Sequence, residues 1–154
     1  MIIVDRIDLK ILTILQDDAR ISNIKLAEKV NLSPTAVLAR VQRLNKEGYI
    51  QGYEARLNPS KMNAGFLVFA QILLDRTTSN ALHEFKTAVM NSPQIIECHM
   101  MSGGFDFMVK IRCQNMEEYR KIADELLWQL PGVKETRSYP VIEQIKESAK
   151  IFVM

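Results

Sequence analysis

Residues 22–48 decide how the first part of this chain folds, and they read SNIKLAEKVNLSPTAVLARVQRLNKEG. Ser22 and Ser33 are residue types that cap helix N-termini, and Pro34 fits the first position of a helix because no hydrogen bond is lost there. Between the two helices, Asn31 is suited to a left-handed turn position. The stretch therefore predicts two short helices joined by a tight turn, which is a helix-turn-helix.

Another helix precedes this motif. Apolar residues recur at helical spacing between Asp5 and Asp18, and the helix that opens at Ser33 carries a similar stripe before Gly48 ends it. The residues expected to pack between the helices are Ile7, Ile11, Ile14, Leu15, Leu26, Ala27, Val30, Val37, Val41 and Leu44. We expect an all-α, winged-helix-like domain of three helices.

The helix that begins after Ser33 is suited to contact DNA. In a helix-turn-helix the N-terminal part of the second helix points at base edges, and small side chains there let the backbone enter the major groove. Residues 33–61 hold five basic and two acidic side chains, a local excess of three. The candidate DNA-binding residues are Ser33, Thr35, Ala36, Ala39, Arg40 and Arg43. We expect both arginines on the exposed side of the helix. The alternative is a packing unit whose basic face is only solvated.

The composition restricts the class of protein. The chain has 154 residues, of which 47% are hydrophobic and 25% are charged, as in an ordinary globular protein. No apolar run approaches the roughly 20 residues of a membrane-spanning helix, and the start lacks the pattern of a signal peptide. The two cysteines, Cys98 and Cys113, form no wider framework, so a reduced cytoplasmic protein is expected.

Residues 64–154 follow a different pattern. Apolar or alternating segments predict strands over residues 65–74, 94–101, 105–113 and 133–145. Two helical segments lie between them, one capped by Ser79 and one running from Met116 to Leu130. The order βαββαβ is that of a ferredoxin-like domain, so the whole chain is expected to be α+β. We expect residues 1–52 to form the helix-turn-helix domain and residues 53–63 to form a hinge. A short strand is expected at residues 50–57, where the helix-turn-helix domain passes into the hinge.

One face of the predicted sheet lacks a cover. The two helices protect only one side, and on the other side four apolar residues could emerge, namely Ile95, Met101, Met108 and Ile142. An exposed apolar sheet face is typical of a surface that binds a partner. Since helix-turn-helix proteins commonly act as dimers, we expect this domain to assemble subunits.

Several motifs resemble those of the Lrp/AsnC, or "feast/famine", family. They include residues 5–8 (DRID), 19–23 (ARISN), 40–44 (RVQRL), 103–107 (GGFDF) and 130–133 (LPGV). The resemblance covers nearly the whole chain. It implies a regulator in bacterial or archaeal cytoplasm, built of homodimers that assemble into rings such as octamers. It also implies double-stranded DNA as partner and a free amino acid, in place of a cofactor, as effector.

The same resemblance implies a ligand site near the glycine turn between the second and third strands. The matching positions are Met101, Gly103, Gly104, Phe105 and Asp106, with Thr136 and Ser138 on the last strand. Backbone N–H groups of the turn can bind a carboxylate, and Asp106 can pair with an ammonium group, as a free amino acid requires. Apolar surface such as Met101 favours leucine, methionine or another aliphatic amino acid as the ligand. By alternation Phe105 is expected to point into the core. The alternative is a plain hairpin turn.

Three positions depart from the family pattern. Gly104 stands where relatives carry an acidic residue, and Ala39 stands where many carry a charged one. Pro140 interrupts the last strand, and since proline cannot donate to the ladder, an edge strand or a bulge is expected there.

Two other classes remain as alternatives. βαββαβ is also the order of the RNA-recognition motif, and GFDFMV at residues 104–109 faintly resembles its aromatic signature. Asp106 would, however, oppose RNA phosphates. An enzyme would need an acid/base pair, a nucleophile or a phosphate loop, and none is evident. Cys98 and His99 are expected to pack rather than to bind metal, so no catalytic or metal residues are assigned.

Overall fold

The computed structural model describes residues 4–75 and 77–153, which form two compact units. The first unit contains residues up to 56 together with residues 146–153, and the second contains Leu57–Ile145. Among the described helices, none has the length and apolar character needed to cross a membrane.

The first unit is built from three helices: α1 (Arg6–Asp17), α2 (Asn23–Val30) and α3 (Pro34–Lys46). Each begins at a side-chain cap, because the first N–H groups of a helix have no partner within it. Asp5 caps α1 in a reciprocal arrangement with Asp8, while Ser22 and Ser33 cap α2 and α3 as predicted.

The turn between α2 and α3 has the predicted left-handed geometry. Asn31 adopts φ 56° and ψ 48°, and the N–H of Leu32 donates to the carbonyl of Ala27 at 3.1 Å. The Asn23 side chain adds a further bond by donating from Nδ2 to the Pro34 carbonyl at 2.7 Å. The start of α3 is therefore tied to the start of α2. The buried centre of this unit consists of Ile11, Leu26, Ala27, Val30, Val37 and Leu44.

The second unit is an antiparallel four-stranded sheet in the order β2-β3-β1-β4. Its elements are β1 (Phe66–Leu74), α4 (Ser79–Met90), β2 (Ile95–Met100), β3 (Phe107–Cys113), α5 (Met116–Glu125) and β4 (Val133–Pro140). The βαββαβ order predicted from the sequence is confirmed. Alternate residues of the central strands β1 and β3 pack against α4 and α5, and the rings of Phe85 and Phe107 stack with centroids 4.4 Å apart.

The sheet face away from α4 and α5 is partly polar. From the central strands it carries Leu67, Phe69, Gln71, Leu73, Met108, Lys110 and Arg112. Of the four apolar residues predicted for this face, Met108 lies there. Ile95 packs against the core instead, because a register shift between Ile95 and Glu97 reverses the alternation of β2. Met101 and Ile142 are exposed outside the strands.

Several predicted boundaries are wrong. The strand predicted at residues 50–57 does not form in the described structure, and a 3-10 turn at Ser60–Met62 follows. The cap of α4 is Thr78 rather than Ser79, and the predicted helix through Leu130 breaks at Leu126 into a 3-10 turn. β3 begins only at Phe107.

The last strand ends at Pro140, short of the predicted residue 145. As expected for a strand containing proline, β4 lies at the edge of the sheet. Beyond it, residues 146–153 group with the first unit. There the Gln16 amide exchanges two hydrogen bonds with the Ile151 backbone, and Lys150 Nζ lies 2.6 Å from Asp17 Oδ1. The predicted C-terminal domain had included this segment, and its exact limits stay a prediction.

Candidate functional site

The exposed side of α3 carries a row of small and polar side chains. Thr35, Ala39 and Gln42 are exposed and lie at positions i, i+4 and i+7, with Lys46 one turn further. We call these four residues the α3 stripe. The opposite side of the helix holds the buried Val37 and Leu44.

The sequence-predicted residues divide between this stripe and other positions. Thr35 and Ala39 belong to the stripe, and Ala36 is half-buried beside it. Ser33 is exposed, but its hydroxyl oxygen accepts the N–H of Ala36 at 3.2 Å as the helix cap. Gln42 was not selected from the sequence, although its spacing from Thr35 could have identified it.

Arg40 and Arg43 do not point outward as expected. Arg40 Nη1 donates to Asp5 Oδ2 at 2.7 Å and to Asp8 Oδ1 at 2.8 Å, and Arg43 Nη2 donates to Asp8 Oδ2 at 2.5 Å. Asp8 is fully buried and also accepts the Asp5 N–H at 3.1 Å. A buried carboxylate is stable only when it is paired and hydrogen-bonded, and this requirement draws both arginines to α1. We call these four residues the Asp8 cluster.

The Asp8 cluster shifts the titration of its members. Burial alone would raise the pKa of Asp8, but the hydrogen bonds from Arg43 and Arg40 outweigh it and hold that pKa below its ordinary value of 3.8. The backbone bond from Asp8 and the Arg40 guanidinium likewise lower the pKa of Asp5. All four groups are therefore charged at neutral pH.

The glycine turn between β2 and β3 is fixed by Asp106. The Met101 N–H donates to the Asp106 carbonyl at 2.8 Å, and the Asp106 N–H donates to the Ile72 carbonyl at 3.0 Å. The Asp106 carboxylate accepts the N–H of Leu74 at 2.8 Å. The last pair between β1 and β3 is Ile72 with Phe107, and β1 continues beyond it. The Asp106 carboxylate therefore gives the Leu74 N–H the acceptor that β3 no longer supplies. Asp106 thus has a structural role at this turn.

A small recess of about 50 Å³ lies beside this turn. Gly104 and Phe105 line it together with Gln71, Leu73, Glu135 and Arg137. The expectation that Phe105 points into the core is wrong, because the backbone bends before β3 begins and the alternation does not extend to it. Arg137 Nε donates to Glu135 Oε1 at 2.6 Å, so the recess contains one charge of each sign.

Thr136 and Ser138 lie on the other face of β4. They pair with Ile72 and Ala70, whose side chains belong to the core, and the Ser138 hydroxyl lies 2.5 Å from that of Tyr119. Side chains alternate between the two faces of β4, so Thr136 and Ser138 share one face while Glu135 and Arg137 share the other, which borders the recess. The structure thus brings Gly104 and Phe105 to the recess but leaves Thr136 and Ser138 outside it.

Comparison with known proteins identifies both units. Residues 4–51 match a winged helix-turn-helix DNA-binding model, and residues 67–151 match the Lrp/AsnC ligand binding domain. The chain belongs to the Lrp/AsnC family. It is 48% identical over 149 residues to the leucine-responsive regulatory protein of Escherichia coli K12, covering 97% of this chain and 91% of that protein.

Solved structures show the same architecture. A transcriptional regulator from Neisseria meningitidis, in complex with L-Met, superposes with a TM-score of 0.91 at 28% identity and covers 97% and 96% of the two chains. An AsnC family regulator from Agrobacterium tumefaciens gives 0.91 at 30% identity, with 96% and 95% covered.

The family assignment resolves the main alternative from the sequence. The βαββαβ unit of this Lrp/AsnC protein is a ligand-binding domain and not an RNA-recognition motif, and the α-helical unit is a DNA-binding domain. The protein is a DNA-binding transcription regulator. Within the described part of the chain, no three His, Cys, Asp or Glu residues are grouped so that they could hold a metal ion.

The Asp8 cluster predicts how stability depends on pH. The folded-state pKa of Asp8 is depressed, so its ion pairs stabilise the protein at neutral pH and this contribution is lost as the pH falls below 3.8 through the folded pKa. Asp8→Asn removes the charged partner of two partly exposed arginines, so it should lower the free energy of unfolding by about 1–3 kcal/mol at neutral pH and flatten its decline with acid. Urea titrations at neutral pH and at about pH 3 measure both effects. Glu28→Gln, on the exposed side of α2, is the control, and an undiminished acid decline in Asp8→Asn contradicts the assignment.

The bond between Asp106 and Leu74 predicts a stability effect at the glycine turn. Asp106→Ala leaves the buried Leu74 N–H without its acceptor and should lower the free energy of unfolding by about 1–3 kcal/mol. Asp106→Asn retains an acceptor oxygen and should lose less. Urea unfolding of both variants measures the difference, and an alanine variant as stable as the wild type would show that the bond contributes nothing.

Proposed function

We propose that the α3 stripe enters the major groove of duplex DNA and that a free amino acid bound beside the glycine turn controls the protein's assembly or DNA binding. The observation that carries this proposal is the exposed α3 stripe on a capped helix, within a chain that matches DNA-binding and ligand-binding models over residues 4–51 and 67–151. We assign no catalytic role and no cofactor, and we propose a free amino acid as the effector.

The chemistry of the α3 stripe supports groove binding. Thr35 and Ala39 are small enough for the helix backbone to approach the bases closely, and a glutamine such as Gln42 can bond both N6 and N7 of adenine. Lys46 stands at the end of the helix, where it can meet a phosphate. Ser33 and Ala36 lie at the start of the same helix and complete the proposed contact surface.

The surroundings of the glycine turn support an amino-acid ligand. Gly103 and Gly104 offer backbone N–H groups to a carboxylate. Asp106 and Glu135 are the nearby carboxylates that an ammonium group could meet, and the exposed Met101 offers apolar surface to an aliphatic side chain. The related Neisseria protein was crystallised with L-Met. Thr136 and Ser138 stay in the proposed site only as family-implied positions, because they face the core side of β4.

We further propose that the protein works as a homodimer that assembles into rings, in the cytoplasm where duplex DNA is accessible. The sheet face away from α4 and α5 carries the partly exposed Phe69, Leu73 and Met108, an apolar set suited to pairing subunits. Paired reading heads would also gain affinity by binding two half-sites together.

The α3 stripe gives a test of DNA binding. Against a sequence selected from a random duplex library, Gln42→Ala should lose about 1–3 kcal/mol of binding free energy, with little loss on random DNA, because a base contact is removed. Lys46→Ala should weaken both equally and reduce the salt slope by about one. Lys10→Ala, exposed on α1, is the control. If neither stripe variant changes binding in a fluorescence anisotropy titration, α3 is not the reading helix.

The ligand proposal is tested by a thermal-shift screen of the twenty amino acids. An aliphatic amino acid at about 100 times its dissociation constant should stabilise the protein by about 2.7 kcal/mol. Asp106→Asn and Glu135→Gln then show which carboxylate meets the ammonium group. Only the variant that removes this carboxylate should lose most of the stabilisation by the amino acid. If none of the twenty shifts the unfolding temperature, the domain does not sense free amino acids.

A further inference from the structure

We propose that Asp5 and Asp8 act as internal counterions for Arg40 and Arg43, so that these two arginines of the reading helix bind no DNA phosphate and a single reading head has only weak affinity for DNA. This inference rests on the proposed DNA-reading function of α3. It assigns Asp5 and Asp8 the role of positioning residues, since they act through the arginines and not on DNA.

The geometry joins the four charges into a neutral group. Arg40 Nη1 is shared by both carboxylates at 2.7 and 2.8 Å, and Arg43 Nη2 bonds the second oxygen of Asp8. Each of the two positive and two negative groups lies within hydrogen-bond distance of at least one group of opposite charge. At physiological salt, charges are screened over about 8 Å, so a group this compact presents little net field to a phosphate outside it.

The position of Arg40 on α3 agrees with this role. Successive helix residues turn by about 100°, so Arg40 lies about 60° around the helix from the buried Val37. Thr35, Ala39 and Gln42 are centred on the opposite side. Arg40 therefore stands beside the core, where α1 packs, and not in the middle of the stripe that would enter the groove.

Release of the arginines toward DNA is unfavourable. Asp8 is fully buried, and removing its partners would leave an unpaired charge out of water. That penalty exceeds what an exposed contact with a phosphate recovers, because exposed ion pairs contribute little in water. The cluster should therefore stay intact when DNA binds.

The consequence is that Arg40 and Arg43 add no net charge to the reading head. Residues 5–61 hold ten basic and seven acidic side chains, and the excess of three positive charges is carried by residues outside the Asp8 cluster. Since sequence-independent DNA affinity grows with the number of phosphates neutralised, a single head should bind more weakly than it would if both arginines were free. Tight binding then depends on several heads acting together.

A double-mutant cycle on the full chain tests the proposal, with a random-sequence duplex as the probe. Asp5→Asn removes one counterion and keeps the helix cap, because asparagine caps as well as aspartate. It should raise affinity about three- to ten-fold at about 0.1 M salt and steepen the salt slope by up to about 0.9. Arg40→Gln should lower affinity by a similar factor. The double variant, in which a neutral pair replaces a charged one, should return to within about twofold of the wild type.

Three results would overturn the proposal. A double variant as weak as Arg40→Gln would show that Arg40 contacts phosphate directly. Unchanged affinity in Asp5→Asn, with an unchanged circular dichroism spectrum and unfolding temperature, would show that Asp5 cancels no charge felt by DNA. A wild-type protein that binds no duplex would overturn the proposed function together with this inference. In the other two cases the wild type binds duplex DNA, so a titration of the wild type alone distinguishes this case from them.

Discussion

The fully buried carboxylate of Asp8 is the constraint on which the arrangement of the reading head depends. A charge without access to water must be neutralised locally, and Asp8 meets this need with Arg40 and Arg43 from α3 and with the backbone N–H of Asp5. The same interactions fasten the start of α1 to the middle of α3. Because α2 is tied to α3 through Asn23, all three helices are held in one arrangement before DNA is present.

Asp106 plays a comparable role in the ligand-binding unit. Its carboxylate completes the hydrogen bonding of β1 beyond the end of β3, and its own backbone N–H bonds Ile72 of the same strand. The glycine turn is thereby joined to the centre of the sheet, and a ligand at this turn would act on a part of the protein that is already rigidly connected. In both units an aspartate bonds distant residues that the local sequence did not show.

The features that could be predicted from the sequence are those with local causes. Helix caps at Ser22 and Ser33, the left-handed Asn31 and the βαββαβ order follow from residues close together in the chain. The failures depend on distant partners. The orientation of Arg40 depends on Asp8, 32 residues away, and the face of β4 that borders the recess depends on its register with β1. Alternation predicts which residues share a face but not which face meets the site.

The distribution of charge connects these two units to regulation. A transcription regulator whose heads attract every phosphate strongly would stay on DNA whatever its assembly state, and an effector could then change little. In the proposed arrangement an internally neutralised head binds weakly alone, and the number and spacing of heads in an assembly would determine the affinity. A ligand that shifts assembly by its preference for one state can then change DNA binding without touching the reading helix. In the proposed function, burying Asp8 would thus make the DNA binding of the head depend on the assembly proposed for the second unit.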